Sequence, residues 1–176
     1  MAKAIIISIQ PKWVAKILNG EKTLEIRKRM PKCDLPIDVY IYCTKNGVGL
    51  VYDVQGKGLV NQNFFPYAKE CPEYHRLLNG KVVAKFTLNE IKDIFAIHFP
   101  YEYYYKATDL TKTELERMSC LSQGDLDIYL RKKKGYAWAI DNLEIFDRPL
   151  ALQPFFDLDR PPQSYCYIEV ENGKDN

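Results

Sequence analysis

The chain has 176 residues, a formal net charge of +2, and 47% hydrophobic residues, so a folded domain with a sizeable core is expected and disorder is excluded. The charge is too small to mark a nucleic-acid binder by itself, so any basic surface is expected as a local patch. Thirteen tyrosines suit both β-strands and base stacking.

The five cysteines, Cys33, Cys43, Cys71, Cys120 and Cys166, are odd in number and show no C-x-x-C spacing. They argue against a disulfide framework and against a zinc finger, and reduced thiols in a cytoplasm are expected. His75 and His98 lack ligand partners at useful spacing, so no metal site and no cofactor are expected. The apolar run at 4–9 is too short for a signal peptide and passes straight into Gln10-Pro11. No run reaches membrane-spanning length, and a cytoplasmic protein without a membrane partner is expected.

In chain order, 4–9 (AIIISI) reads as a buried strand. Pro11 opens a helix over 11–19, expected to pack through Trp13, Ile17 and Leu18 and to stop at Asn19-Gly20. From Lys22 to Arg29 the sequence alternates, with Leu24 and Ile26 on one face and Thr23, Glu25 and Arg27 on the other, as in a strand with one buried face. A third strand is expected over 37–43. Residues 46–79 show no sustained period and read as an insertion, with spacing that allows a short helix near Tyr67–Leu78. Strands are expected at 81–88 and 92–99, joined to the next element by a tyrosine-rich connection at 101–106. Thr113–Met118 reads as a short helix. Ser122 caps another, with Asp125 in its first turn and an end built from Arg131–Lys134 followed by Gly135. The last strands are expected at 136–146 and 165–170. Many strands, few helices and no βαβ alternation predict an α+β, mainly β fold built on a mostly antiparallel barrel with flanking helices. The whole of 1–176 reads as one domain.

Three stretches carry the candidate chemistry. In GEKTLEIR at 20–27, Lys22, Glu25 and Arg27 either form an exposed polar face with a weak ion pair or turn inward to pair and bind something. The turn around Ser8 and Lys12 offers backbone N–H groups at a helix start, where anions settle; Ser8 can equally be a local cap. In RPPQSY at 160–165, two prolines hold Gln163 and Ser164 ready for hydrogen bonds to a base, or simply make a rigid turn. Trp138 reads as core or as part of the pocket. The lysine run at 131–134 reads as a solvated helix end. No P-loop, G-x-S-x-G, G-x-G-x-x-G or H-E-x-x-H motif occurs.

Taken together, SIQPKWVAKILNGEKTLEIRKR at 8–29, VYIYCTK at 39–45, GKVVAKFTLNEI at 80–91, GYAWAIDNLEI at 135–145 and PPQSYCYIE at 161–169 resemble the ASCH family, named for homology to the activating signal cointegrator, in a prokaryotic or phage-type branch. The resemblance implies a PUA-like barrel and a role with RNA or a nucleotide. It places Lys22, Glu25 and Arg27 in a cleft, with Ser8, Lys12, Trp138, Gln163 and Ser164 nearby. One branch looks like amidohydrolases on an acylated cytidine, with a threonine nucleophile where this chain has Glu25. That departure argues against the same reaction here. Other family members suggest RNA cleavage, for which Glu25 would serve as base and the cations would steady phosphate. Three readings stay open: an RNA- or nucleotide-binding module, a hydrolase on RNA or a modified nucleoside, and a protein-interaction adaptor.

Overall fold

The computed structural model describes residues 2–47, 49–59 and 75–170. It forms two compact units: one from 1–19, 37–87 and 142–176, the other from 20–36 and 88–141.

The first unit is built around β1 (Ala2–Ile9), which pairs in parallel with β3 (Ile37–Cys43) and antiparallel with β12 (Tyr165–Val170). With β7 (Lys81–Leu88) and β11 (Asp141–Leu150) they make a five-stranded sheet in the order β11-β7-β3-β1-β12. An interior strand covered on both faces needs no polar side, which is why Ala4, Ile5, Ile6 and Ile7 run without interruption and are fully buried. One core cluster joins Ala4, Ile6, Tyr40, Tyr42, Val82, Phe146, Phe156 and Ile168.

Helix α1 (Pro11–Leu18) begins on Pro11, whose ring fixes φ for the first turn, and ends at Asn19 with Gly20 in the left-handed region (φ 74°). Its buried face is Pro11, Val14 and Ile17, spaced by three. Trp13 and Leu18, expected inside, are only half-buried, so the packed stripe lies one position round the helix from the one expected. Within 46–79, β4 (Val51–Asp53) pairs antiparallel with both β5 (Gly58–Leu59) and β6 (His75–Leu77). The helix expected near Tyr67–Leu78 is replaced at 75–77 by strand, and 67–74 lies outside the described residues.

The second unit carries a four-stranded antiparallel sheet, β2 (Leu24–Arg27), β10 (Gly135–Ala139), β8 (Ile91–His98) and β9 (Tyr103–Ala107), in that order. Its core face gathers Leu24, Ile26, Ile94, Tyr105, Ala107 and Ala137 under α2 (Lys112–Ser119) and α3 (Gln123–Leu130), which add Leu115, Leu126 and Leu130. Both helices start on full capping boxes, Thr111 with Glu114 and Ser122 with Asp125.

Three sequence expectations change here. The tyrosine-rich connection is strand β9, because Tyr105 packs in the core while Tyr104 points the other way. The expected strand 136–146 is two strands, β10 and β11, broken at Ile140, and Asn142 just inside β11 is left-handed (φ 48°). The lysine run does not close α3: the helix stops at Leu130, and Arg131 and Lys132 are left-handed (φ 54° and 60°). Gly135 is the first residue of β10 instead of a helix cap, and a Cβ there would lie 2.6 Å from Leu130 Cδ2. Among the described residues no helix is long and apolar enough to cross a membrane.

Candidate functional site

The second unit buries three charges together. Lys22, Glu25 and Arg27 are 2%, 7% and 7% exposed. Among the described residues strand β2 has β10 as its one sheet neighbour, and its start is fastened to a helix: the Thr23 N–H donates to Met118 O at 2.8 Å. This brings the C-terminal end of α2 beside Lys22, whose Nζ donates to Ser119 O at 2.7 Å. The same ammonium lies 3.4 Å from Glu25 Oε2, and Arg27 Nη2 lies 3.0 Å from Glu25 Oε1. Glu25 thus bridges two cations, one at each carboxylate oxygen.

The alternation read in the sequence explains the placement. Leu24 and Ile26 face the hydrophobic core, and Glu25 and Arg27 face the other side. The exposed-face reading fails, since every residue of β2 is buried. On the same face, Trp138 is the direct partner of Glu25 and Tyr136 that of Arg27. Trp138 is fully buried, so it is both core and wall of the site.

Burial pushes the Lys22 amine below its ordinary range, with Glu25 pulling it part of the way back. Burial raises the Tyr129 phenol, opposed by the nearby Arg27 charge. Ser119, Tyr129 and Tyr136 belong to this neighbourhood and escaped the sequence reading. Only the fold brings α2 and α3 to β2; Tyr136, next to the singled-out Trp138, was the one within reach.

The remaining sequence candidates lie in the first unit. Ser8 Oγ donates to Pro162 O at 2.6 Å and the Ser8 N–H to Ser164 O at 2.9 Å, so the 8–12 turn and the Pro-Pro-Gln-Ser segment do meet. Ser8 is a tie between those stretches. Gln163, Ser164 and Lys12 are exposed, and Lys12 Nζ sits 4.4 Å from the Trp13 ring centroid. Among the described residues no disulfide forms, and Cys43, Cys120 and Cys166 are free thiols; Cys71 lies outside the described residues. Cys43 is buried and its thiol is pushed up to about 12, which removes it as a nucleophile near neutral pH. Among the described residues no group of three His, Cys, Asp or Glu could hold a metal.

The sheets, the helices and the parallel pairing of β1 with β3 define an α+β fold. Two solved structures share the arrangement over nearly the whole chain. The crystal structure of ASCH from Zymomonas mobilis superimposes with a TM-score of 0.59 at 18% identity, covering 94% of this chain and 87% of that one. A mutant form of the same protein gives 0.60 at 19% identity, covering 96% and 91%. The chain therefore has the ASCH fold, as its sequence resemblance implied. In sequence, it is 33% identical over 73 residues to an ASCH domain-containing ribonuclease of Zymomonas mobilis, a match spanning 39% of this chain and about half (49%) of that protein. No family model matches.

Proposed function

We propose that this chain is a cytoplasmic RNA-binding protein, a single ASCH domain over 1–176 with an insertion at 46–79, and that Lys22, Glu25 and Arg27 form its site. The observation that carries this reading is the burial of two cations, Lys22 and Arg27, around Glu25. Burying charges is costly, so a strand face that holds them is the first candidate for binding. A phosphodiester or a terminal phosphate is an anion that suits such cations, and Arg27 offers it a planar fork of donors. Tyr136, the cross-strand partner of Arg27, gives an adjacent base a ring to stack on. In this reading Trp138 shapes the wall of the site, and Ser8, Lys12, Gln163 and Ser164 of the first unit are separate candidate contacts to the ligand.

A second reading, RNA cleavage, is favoured by the lowered Lys22 pKa and by the ribonuclease to which part of the chain is similar. Glu25 would take the proton of the 2′-hydroxyl as its oxygen attacks phosphorus. Lys22 would give a proton to the departing 5′-oxygen, and Arg27 would steady the charge that builds on phosphate.

Titration of single-stranded RNA at several salt concentrations tests the first reading. Lys22→Ala and Arg27→Ala should each weaken binding and lower the salt slope by about 0.7. Variants that bind like the parent would remove the network as the site. The second reading stands only if Glu25→Gln abolishes strand scission by the purified protein while binding persists.

A further inference from the structure

We infer that the outer face of the four-stranded sheet in the second unit is a stacking platform for single-stranded RNA, running from Arg27 across β10 and β8 to β9. The inference rests on the proposed site and extends it from one phosphate to a track.

Direct antiparallel partners share a face, so the pairings give the surface residue by residue. Arg27 faces Tyr136, and Tyr136 faces Asp93. Two residues along β8, Phe95 faces Lys106; two further, Ile97 faces Tyr104. All lie opposite the core face that holds Ile94, Tyr105 and Ala137. Phe95 is 38% exposed and Phe99, just past the strand, is 51% exposed. Phe99 and Tyr104 lie nearly parallel, at 24° with centroids 5.9 Å apart, and so present a two-ring step.

Large rings are expensive to leave in water on a sheet face, and here they carry cations. Lys134 Nζ lies 5.3 Å from the Tyr136 centroid, and Lys112 Nζ lies 5.6 Å from that of Tyr104. Lys106 stands on the face itself. The acid of this track, Asp93, is already paired with Lys134 at 3.0 Å. Rings for bases interleaved with ammonium groups for phosphates are the chemistry of sequence-tolerant single-strand binding. A protein partner docking through the same face would have to match these lysines with acids of its own. The track also begins at the Lys22–Glu25–Arg27 network, because Tyr136 is the cross-strand partner of Arg27.

The test is fluorescence anisotropy with labelled single-stranded RNA of about four and about twelve nucleotides, on the full chain. The parent should hold the longer strand more tightly. Phe95→Ala and Tyr104→Ala should each weaken the longer strand roughly five- to hundredfold and leave the shorter one unchanged. Tyr104→Phe should bind like the parent, and thermal unfolding should show Phe95→Ala folded, since that side chain is exposed. Unchanged affinity of both alanine variants for the longer strand would overturn the platform while leaving the Lys22–Arg27 site standing. Lys22→Ala and Arg27→Ala with full affinity, beside weakened platform variants, would instead discard the site and keep the platform. A parent dimer that Phe95→Ala turns into monomer, without change in RNA affinity, would make the face a protein interface and end the proposal.

Discussion

Strands β1 and β2 bury their residues by opposite routes. In β1, Ala4 to Ile7 are apolar throughout, and burial of both faces follows from hydrophobicity alone. In β2, Leu-Glu-Ile-Arg alternates as a half-exposed strand would, yet all four residues are buried. The first unit's strand is stabilised by what it hides from water. The second unit's strand hides groups that water would solvate better, and pairing around Glu25 offsets part of that loss. A buried polar face of this kind is held by ion pairs and hydrogen bonds, where β1 is held by hydrophobicity.

That contrast breaks first at Glu25. Glu25→Gln removes the carboxylate that bridges two buried cations, and a loss of about 3–5 kcal/mol in urea unfolding is expected. A loss below about 1 kcal/mol would show that water reaches the network freely. In β1, Ile6→Val removes one methylene from a dry core and should cost about 1 kcal/mol, with RNA affinity unchanged. A change in affinity there would contradict the division of labour between the two strands.

Lys22→Met gives the smallest effect and the sharpest test. It leaves Glu25 and Arg27 as a balanced pair, so stability at neutral pH should move by less than about 1 kcal/mol, in either direction. Its pH dependence is the diagnostic. The folded amine has a lower pKa than the unfolded one, so the folded state binds fewer protons between the lowered value and the ordinary 10.5. The parent should therefore gain stability as pH rises through that window, and Lys22→Met should lack the gain. Denaturant midpoints measured from neutral pH to about 10.5 check it.

Much of this was legible in the sequence because it rests on local rules. The apolar run of β1, the start of α1 on Pro11, and the cap at Ser122 with Asp125 are settled by residues within one turn of each other, whereas the Thr111 cap of α2 went unread. Strand β9 was obscured because Tyr103, Tyr104 and Tyr105 place one residue type on both faces and erase the alternation. The break between β10 and β11 falls where no glycine or proline announces it. For the site, alternation put Glu25 and Arg27 on one side of β2, but a period reports which residues share a face and never what covers that face. The contact of Lys22 with Ser119 joins residues 97 positions apart and left no trace in the local pattern.

The position of β2 at the sheet margin has a consequence for behaviour at high concentration. An unpaired strand edge is a template on which a second chain can add, and this one is only four residues long, with its first amide neighbour already tied to Met118. An incoming strand would have to approach charges held in place by their own pairing, and would find too little free backbone to make a ladder. The shortness of β2 and its buried ion pairs thereby keep this edge from seeding aggregates.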